Sequence, residues 1–176
     1  MMMDPGSIPM DDPLAFFLTW TTYGSWLPGD ERGWVEKRGN FMAADPAREL
    51  QAAERMHAPE LPLDPEQREL VEKTVADHCR RRGWYLHAVN CRTQHVHVVV
   101  TAPQGDPKVV LDQFKAWCTR RLKELATANA TADAQEKERP VRTKWWTEGG
   151  SKRRVYGEDS VAAVIRYVIE DQDRPR

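Results

Sequence analysis

The chain is expected to fold as an α+β domain with the β-α-β-β-α-β order of a ferredoxin-like antiparallel sheet, followed by one additional C-terminal helix. Three observations carry that expectation. Four short runs rich in apolar, β-branched or aromatic residues alternate with amphipathic segments in this order. Two of those runs, 84–90 and 95–101, are joined by a short polar link, which favours antiparallel pairing. The length of 176 residues suits one buried core and would cramp two.

Each element has a local reason. Residues 14–23 (LAFFLTWTTY) read as a buried strand, and the Gly-, Pro- and charge-rich stretch after them as loop. Residues 41–63 lean to helix and are ended by Pro59 and Pro62, so 24–63 is expected to be a loop and helix insertion. Asp64-Pro65 supplies an N-cap with proline in the first turn; Leu70, Val71, Thr74, Val75 and His78 recur at helical spacing, and Gly83 ends the helix. After the paired strands, residues 107–125 form a second helix with Val110, Leu111, Phe114, Trp117, Cys118 and Leu122 on its apolar stripe. Residues 127–140 read as an exposed connection and 151–156 as a fourth short strand. Asp159-Ser160 caps the last helix, whose Val161, Val164, Ile165 and Val168 share a face. The whole of 1–176 is expected to be one domain, with 1–12 disordered.

Composition narrows the function classes. With 40% hydrophobic and 30% charged residues the chain is globular. No apolar run approaches the roughly 18 residues of a membrane span, and the acidic first residues lack a signal-peptide pattern. Cys79, Cys91 and Cys118 are too widely spaced for a C-x-x-C pair and too few for a disulfide framework. They read as small buried residues in a reducing, cytoplasmic protein. The net charge of -1 conceals a polarity: residues 1–70 carry 6 Lys/Arg against 13 Asp/Glu, and residues 71–176 carry 20 against 14. A basic zone on a nearly neutral protein fits a polyanion held at one face.

Two constellations could carry chemistry. His95-Val96-His97 places two imidazoles on one face of a strand, since side chains at i and i+2 project together. Neutral imidazoles side by side can hold a divalent cation, with water and a substrate phosphate at the other positions. A histidine pair on a strand is by itself more often a half-buried surface feature. Tyr167 on the last helix is the second candidate. Alone it would be a core-edge aromatic, but Asp171 lies one turn on and Gln172 beside it, and either could give oxygen to a metal. A phenol of pKa about 10 needs activation to act as a nucleophile, and a divalent cation on the target phosphate supplies it. The two constellations make one site only if the last helix packs across the histidine strand.

Basic and aromatic residues fit a DNA partner. Lys152, Arg153 and Arg154 lie on the fourth strand, Arg120, Arg121 and Lys123 on the second long helix, and Lys144 precedes Trp145-Trp146. Lys and Arg contacts to phosphate give affinity and position, while exposed Trp rings can stack on unpaired bases. At least one of Trp145 and Trp146 is expected in the core. The loop Trp26-Leu27-Pro28-Gly29 is read as rigid and able to shape a pocket for a DNA end. His57, His78 and His87 have no partner spacing and read as surface or core-edge residues.

These residues, taken in order, resemble the HUH single-tyrosine transposases of the IS200-like superfamily, and most of all the REP-associated tyrosine transposases. The resemblance runs through FFLTWTTYGSWLPGD, QHVHVVVTAP, DQFKAWCTRRLKE, KWWTEGGSKRRVYG and AAVIRYVIEDQ, nearly the whole chain. It implies a metal-dependent single-stranded DNA endonuclease and strand transferase (a transposase) acting at hairpin-associated sites through a 5′-phosphotyrosine intermediate. His95 and His97 would be the metal ligands, for Mg2+ or Mn2+, and Tyr167 the nucleophile. The resemblance is compatible with a monomer or a homodimer. It departs at one point: the family places Gln or Asn one turn after the tyrosine as the third ligand, where this chain has Asp171, with Gln172 one residue later. Residue type favours Gln172 and spacing favours Asp171. The alternatives are a non-catalytic hairpin-DNA-binding protein derived from a transposase, and a protein-interaction module with an incidental histidine pair.

Overall fold

The computed structural model describes residues 12–36, 39–56, 60, 62–132, 142 and 144–170. In chain order the elements are β1 (Ala15–Thr21), β2 (Trp34–Val35), β3 (Phe41–Met42), α1 (Pro46–Glu54), α2 (Pro65–Arg82), β4 (Tyr85–Cys91), β5 (His95–Thr101), α3 (Pro107–Ala132), β6 (Ser151–Val155) and α4 (Glu158–Glu170). β4, β5, β1 and β6 form one sheet in that spatial order, and every pairing is antiparallel. With the β2–β3 hairpin and α1 set aside as an insertion, the connectivity is the expected ferredoxin-like one, with α4 added at the end.

Side-chain alternation in the strands divides the molecule into layers. Phe16, Leu18 and Trp20 of β1 and Val96, Val98 and Val100 of β5 pack against Val71, Val75 and Cys79 of α2 and Val110, Leu111, Phe114, Cys118 and Leu122 of α3. The opposite face carries a smaller cluster, in which Ala15, Ala88, Val99 and Val155 meet Val161, Val164 and Val168 of α4. Val96, Val98, Val99 and Val100 are all fully buried, each contributing about 1.5–3 kcal/mol of apolar burial. β5 is therefore covered on both faces, and the layer under α4 is where a polar pair on this strand must find a use.

Local chemistry sets the helix ends. Asp64 accepts from the Gln67 backbone while the Gln67 side chain returns to the Asp64 N–H, a complete capping box with Pro65 in the first turn. Gly83 ends α2 in the left-handed region at φ 67°. Asp106 caps α3 through the backbone N–H groups of Lys108 and Val109.

Several boundaries differ from expectation. The loop expected after β1 contains β2, which pairs with β3 through Trp34–Met42 and Val35–Phe41; the alternating pattern there is too short to show. α1 occupies only Pro46–Glu54 and buries none of its residues, consistent with an insertion lying on the surface. The exposed connection expected from residue 127 is helical as far as Ala132. Alanine has the highest helix propensity and carries the last turns of α3 onward, and the Thr127 hydroxyl is absorbed by the Lys123 carbonyl at 2.9 Å. α4 begins at Glu158, ahead of the expected Asp159-Ser160 cap. The expected disorder of 1–12 falls, apart from Asp12, outside the described residues, as do positions 133–140 of the connection and His57. Among the described residues, no helix is long and apolar enough to cross a membrane.

Candidate active site

β5 brings His95 and His97 to one face, the face over which α4 packs. Their ring centroids are 5.2 Å apart and nearly perpendicular. Tyr167, half-buried on α4, stands with its ring centroid 6.0 Å from that of His97. Phe17 of β1 completes the group, stacked on His97 at 6.0 Å and edge-on to Tyr167 at 6.0 Å. The condition set by the sequence is met: the last helix crosses the histidine strand and delivers Tyr167 beside His97.

The imidazoles are suited to ligation. Burial lowers the His95 pKa, and the nearby Arg92 and Arg32 cations lower it further. For His97, burial, then His95, then Arg92 push the pKa down to about 4. Both rings are thus held in the neutral form that a metal needs. Thr19, the cross-strand partner of His97, has its Oγ1 3.1 Å from His97 Nδ1. When Nδ1–H donates to that hydroxyl, Nε2 holds the lone pair for ligation, the arrangement that orients a metal-binding histidine.

The pair also has a fitting spacing. A cation about 2.1 Å from an imidazole nitrogen lies about 3.3 Å from the ring centre, so two rings on one cation at 90–110° are roughly 4.7–5.4 Å apart. The observed 5.2 Å lies within that range. Among the described residues, no group of three or more His, Cys, Asp or Glu side chains could hold a metal. The third-ligand candidates Asp171 and Gln172 lie outside the described residues. The cysteines offer no rival nucleophile, since all three are buried and burial raises the Cys79 and Cys91 thiols to about 12.

The structure disperses the basic residues grouped by sequence. Arg153 is the β6 partner of Phe17 and places its guanidinium carbon 5.5 Å from the Phe17 ring centre, on the histidine face. Lys152 and Arg154 alternate to the other face, where Lys152 Nζ donates to the Gly150 carbonyl and Arg154 lies 3.8 Å from Asp106. Arg120 and Arg121 both reach Glu124 on α3, in the opposite layer. Lys144 is exposed, its Nζ 5.3 Å from the Tyr23 ring centre. Trp145 is buried in the core, as expected for one of the pair, and stacks no base. Trp146 is half-buried and donates from Nε1 to the Thr119 hydroxyl.

The loop at 26–29 is fixed on both sides. Trp26 donates to the Gly33 carbonyl at 2.7 Å, and a side chain at Gly29 (φ 99°) would lie 2.3 Å from the Asp45 carbonyl oxygen. Leu27 and Pro28, with Tyr23, Arg48, Gln51 and Arg55, line a groove of about 590 Å³ that does not include the histidines or Tyr167.

Sequence reasoning missed Thr19, Phe17, Asn90, Arg32 and Arg92, all of which bear on the histidine pair. Thr19 and Phe17 alternate with the core residues of β1, and that pattern would have placed them on the face opposite Leu18. The two arginines come from loops and carried no signal. Neither a protein-family model nor a curated protein matches the chain. A crystal structure of a candidate transposase from Deinococcus radiodurans R1 is similar at 16% identity, with 99% of this chain and 100% of that one covered and a TM-score of 0.44.

Proposed function

We propose that the protein is a transposase-like enzyme that nicks and rejoins single-stranded DNA at hairpin-associated sites, using a divalent metal and a tyrosine nucleophile. The observation that carries this reading is the approach of Tyr167 to within 6.0 Å, ring centre to ring centre, of a histidine whose neighbour is 5.2 Å away. A surface tyrosine or an incidental histidine pair does not require the other.

Mg2+ or Mn2+, when bound, would polarise a phosphodiester oxygen and stabilise the charge that builds on it. His95 and His97 would hold it through neutral nitrogens, with Thr19 fixing the His97 ring and Asp171 or Gln172 as a further ligand. The Tyr167 oxygen attacks phosphorus as its proton passes to solvent, forming an O–P bond. The bond from phosphorus to the 3′ oxygen breaks, and that oxygen leaves as a hydroxyl after taking up a proton. The 5′-phosphate remains on Tyr167. Since one phosphodiester replaces another, a second 3′-hydroxyl can reverse the step without an external energy source. Arg153, whose guanidinium carbon lies 5.5 Å from the Phe17 ring centre on the same face, would hold the DNA backbone near the reacting group.

The test is incubation with labelled single-stranded hairpin DNA and Mg2+ or Mn2+, followed by a denaturing gel. A covalent protein–DNA adduct is expected, lost with chelator and in Tyr167→Phe. An adduct that persists in Tyr167→Phe would move the nucleophile elsewhere, with Tyr156 the next to examine. Hairpin binding with no adduct under any metal would leave the non-catalytic reading.

A further inference from the structure

A second concentration of positive charge lies on the outer surface of the α2–α3 layer, with the sheet between it and the histidine pair. Arg80, Arg81 and Arg82 form the last turn of α2. Trp117 of α3 carries two guanidiniums, Arg81 at 5.7 Å and Arg120 at 5.4 Å from its ring centre, and Arg82 stands 5.4 Å from the ring centre of Trp84. Buried His78 supports both rings from beneath, 5.4 Å from Trp84 and 6.0 Å from Trp117. Its Nε2 lies 2.8 Å from Gln113 Oε1.

Charge at the end of α2 complements the helix dipole, but that does not account for Arg120, which sits mid-helix on α3 and converges on the same ring. Asp77 pairs with Arg80, and Glu124 with Arg120 and Arg121. Among the described residues, no carboxylate pairs with Arg81 or Arg82. A guanidinium stacked on a ring is oriented yet keeps its in-plane N–H donors, which match phosphate oxygens in fork geometry. Guanidiniums held in this way suit the oxygens of a sugar-phosphate backbone.

We propose that the Arg81, Arg82 and Arg120 surface binds the phosphate backbone of DNA flanking the segment held at His95 and His97. The inference rests on the function proposed above. DNA that reaches this surface from the site must pass round the sheet, so a short oligonucleotide cannot occupy both. The contact is sequence-independent and adds affinity and register.

The experiment compares wild type with Arg81→Ala/Arg82→Ala by fluorescence anisotropy across a salt series. The probes are a single strand of about 8 nucleotides and the same strand extended by about 15 nucleotides or base pairs, the length at which several phosphates can be met. With the extended probe the variant is expected to bind roughly tenfold or more weakly, with a log–log salt slope shallower by about 2, since each duplex phosphate contact contributes about 0.9. The short probe should bind both proteins alike. Single-stranded and duplex extensions, run separately, show which form of backbone is held. Methylphosphonate linkages in the extension, tested on the wild-type chain, should reproduce the loss without any change to the protein. Equal affinities of the two proteins for every probe, or equal losses on short and long probes, would overturn the proposal. A length-dependent loss without any Tyr167 adduct would uphold this surface while the nicking reading fails.

Discussion

Asn90 of β4 donates through Nδ2 to the backbone carbonyl of Val168 at 2.9 Å, one residue beyond Tyr167. The same Asn90 is the cross-strand partner of His97. Val168 lies in the last described turn of α4, and this bond ties the helix to the histidine strand. Asn90→Ala is expected to cost about 0.5–1.5 kcal/mol of stability, the usual worth of one hydrogen bond. Adduct formation should fall further, by roughly tenfold, because loss of the tether frees Tyr167, the proposed nucleophile, to wander. Thermal unfolding and single-turnover gel assays measure the two effects separately. A rate loss no larger than the stability loss implies would remove the tether from the mechanism.

Thr19 should matter through metal affinity. Thr19→Val keeps the shape and removes the oxygen that engages His97 Nδ1. Mn2+ binding, followed by calorimetry, is expected to weaken about 10-fold or more, as when a partner behind a ligating histidine is lost. Thr19→Ser should bind close to wild type. If the two variants bind alike, the hydroxyl is not orienting the ring.

The split of the basic strand predicts an asymmetry. Arg153→Ala should slow adduct formation on hairpin DNA about 10-fold or more, as expected for loss of a charge-assisted phosphate contact near the chemistry. Lys152→Ala and Arg154→Ala, on the other face of the sheet, should change it little on a short probe. Equal effects from all three would return the cluster to a general charge effect.

The depressed pKa of His97 makes stability depend on pH. Its native value is about 4, against 6.5 for the ordinary group, and burial is the principal cause. Between those values the unfolded chain binds a proton that the native ring refuses, so stability falls as pH drops from 6.5 toward 4 and recovers as pH rises. Across that window the contribution of this group is roughly 3 kcal/mol. Urea unfolding with chelator present should show this slope, and His97→Gln should flatten it. A slope unchanged in His97→Gln would assign the effect to other groups.

The strand and helix order was legible because its signals are local. Asp64-Pro65 and Gly83 bracket α2 by their own backbone preferences, and His95-Val96-His97 shares a face because a strand has period two. The length of α3 and the small β2–β3 hairpin were not, since alanine-rich turns resemble a polar connection and two-residue strands leave too few positions for alternation. Among the candidate site residues, the histidine pair and Tyr167 stand out by residue type.

Their meeting could not be read along the chain. Residues 72 positions apart, His95 and Tyr167, share a site only because Val161, Val164 and Val168 bury themselves against Ala15, Ala88, Val99 and Val155. Helical periodicity shows that α4 has an apolar face, but not which surface will cover it. The reach of Arg153 to Phe17, the parting of Lys152 and Arg154 from it, and the grip of Asn90 on α4 follow from strand register. Register comes from the packing of both sheet faces together, a property of the assembled layers that no single segment carries.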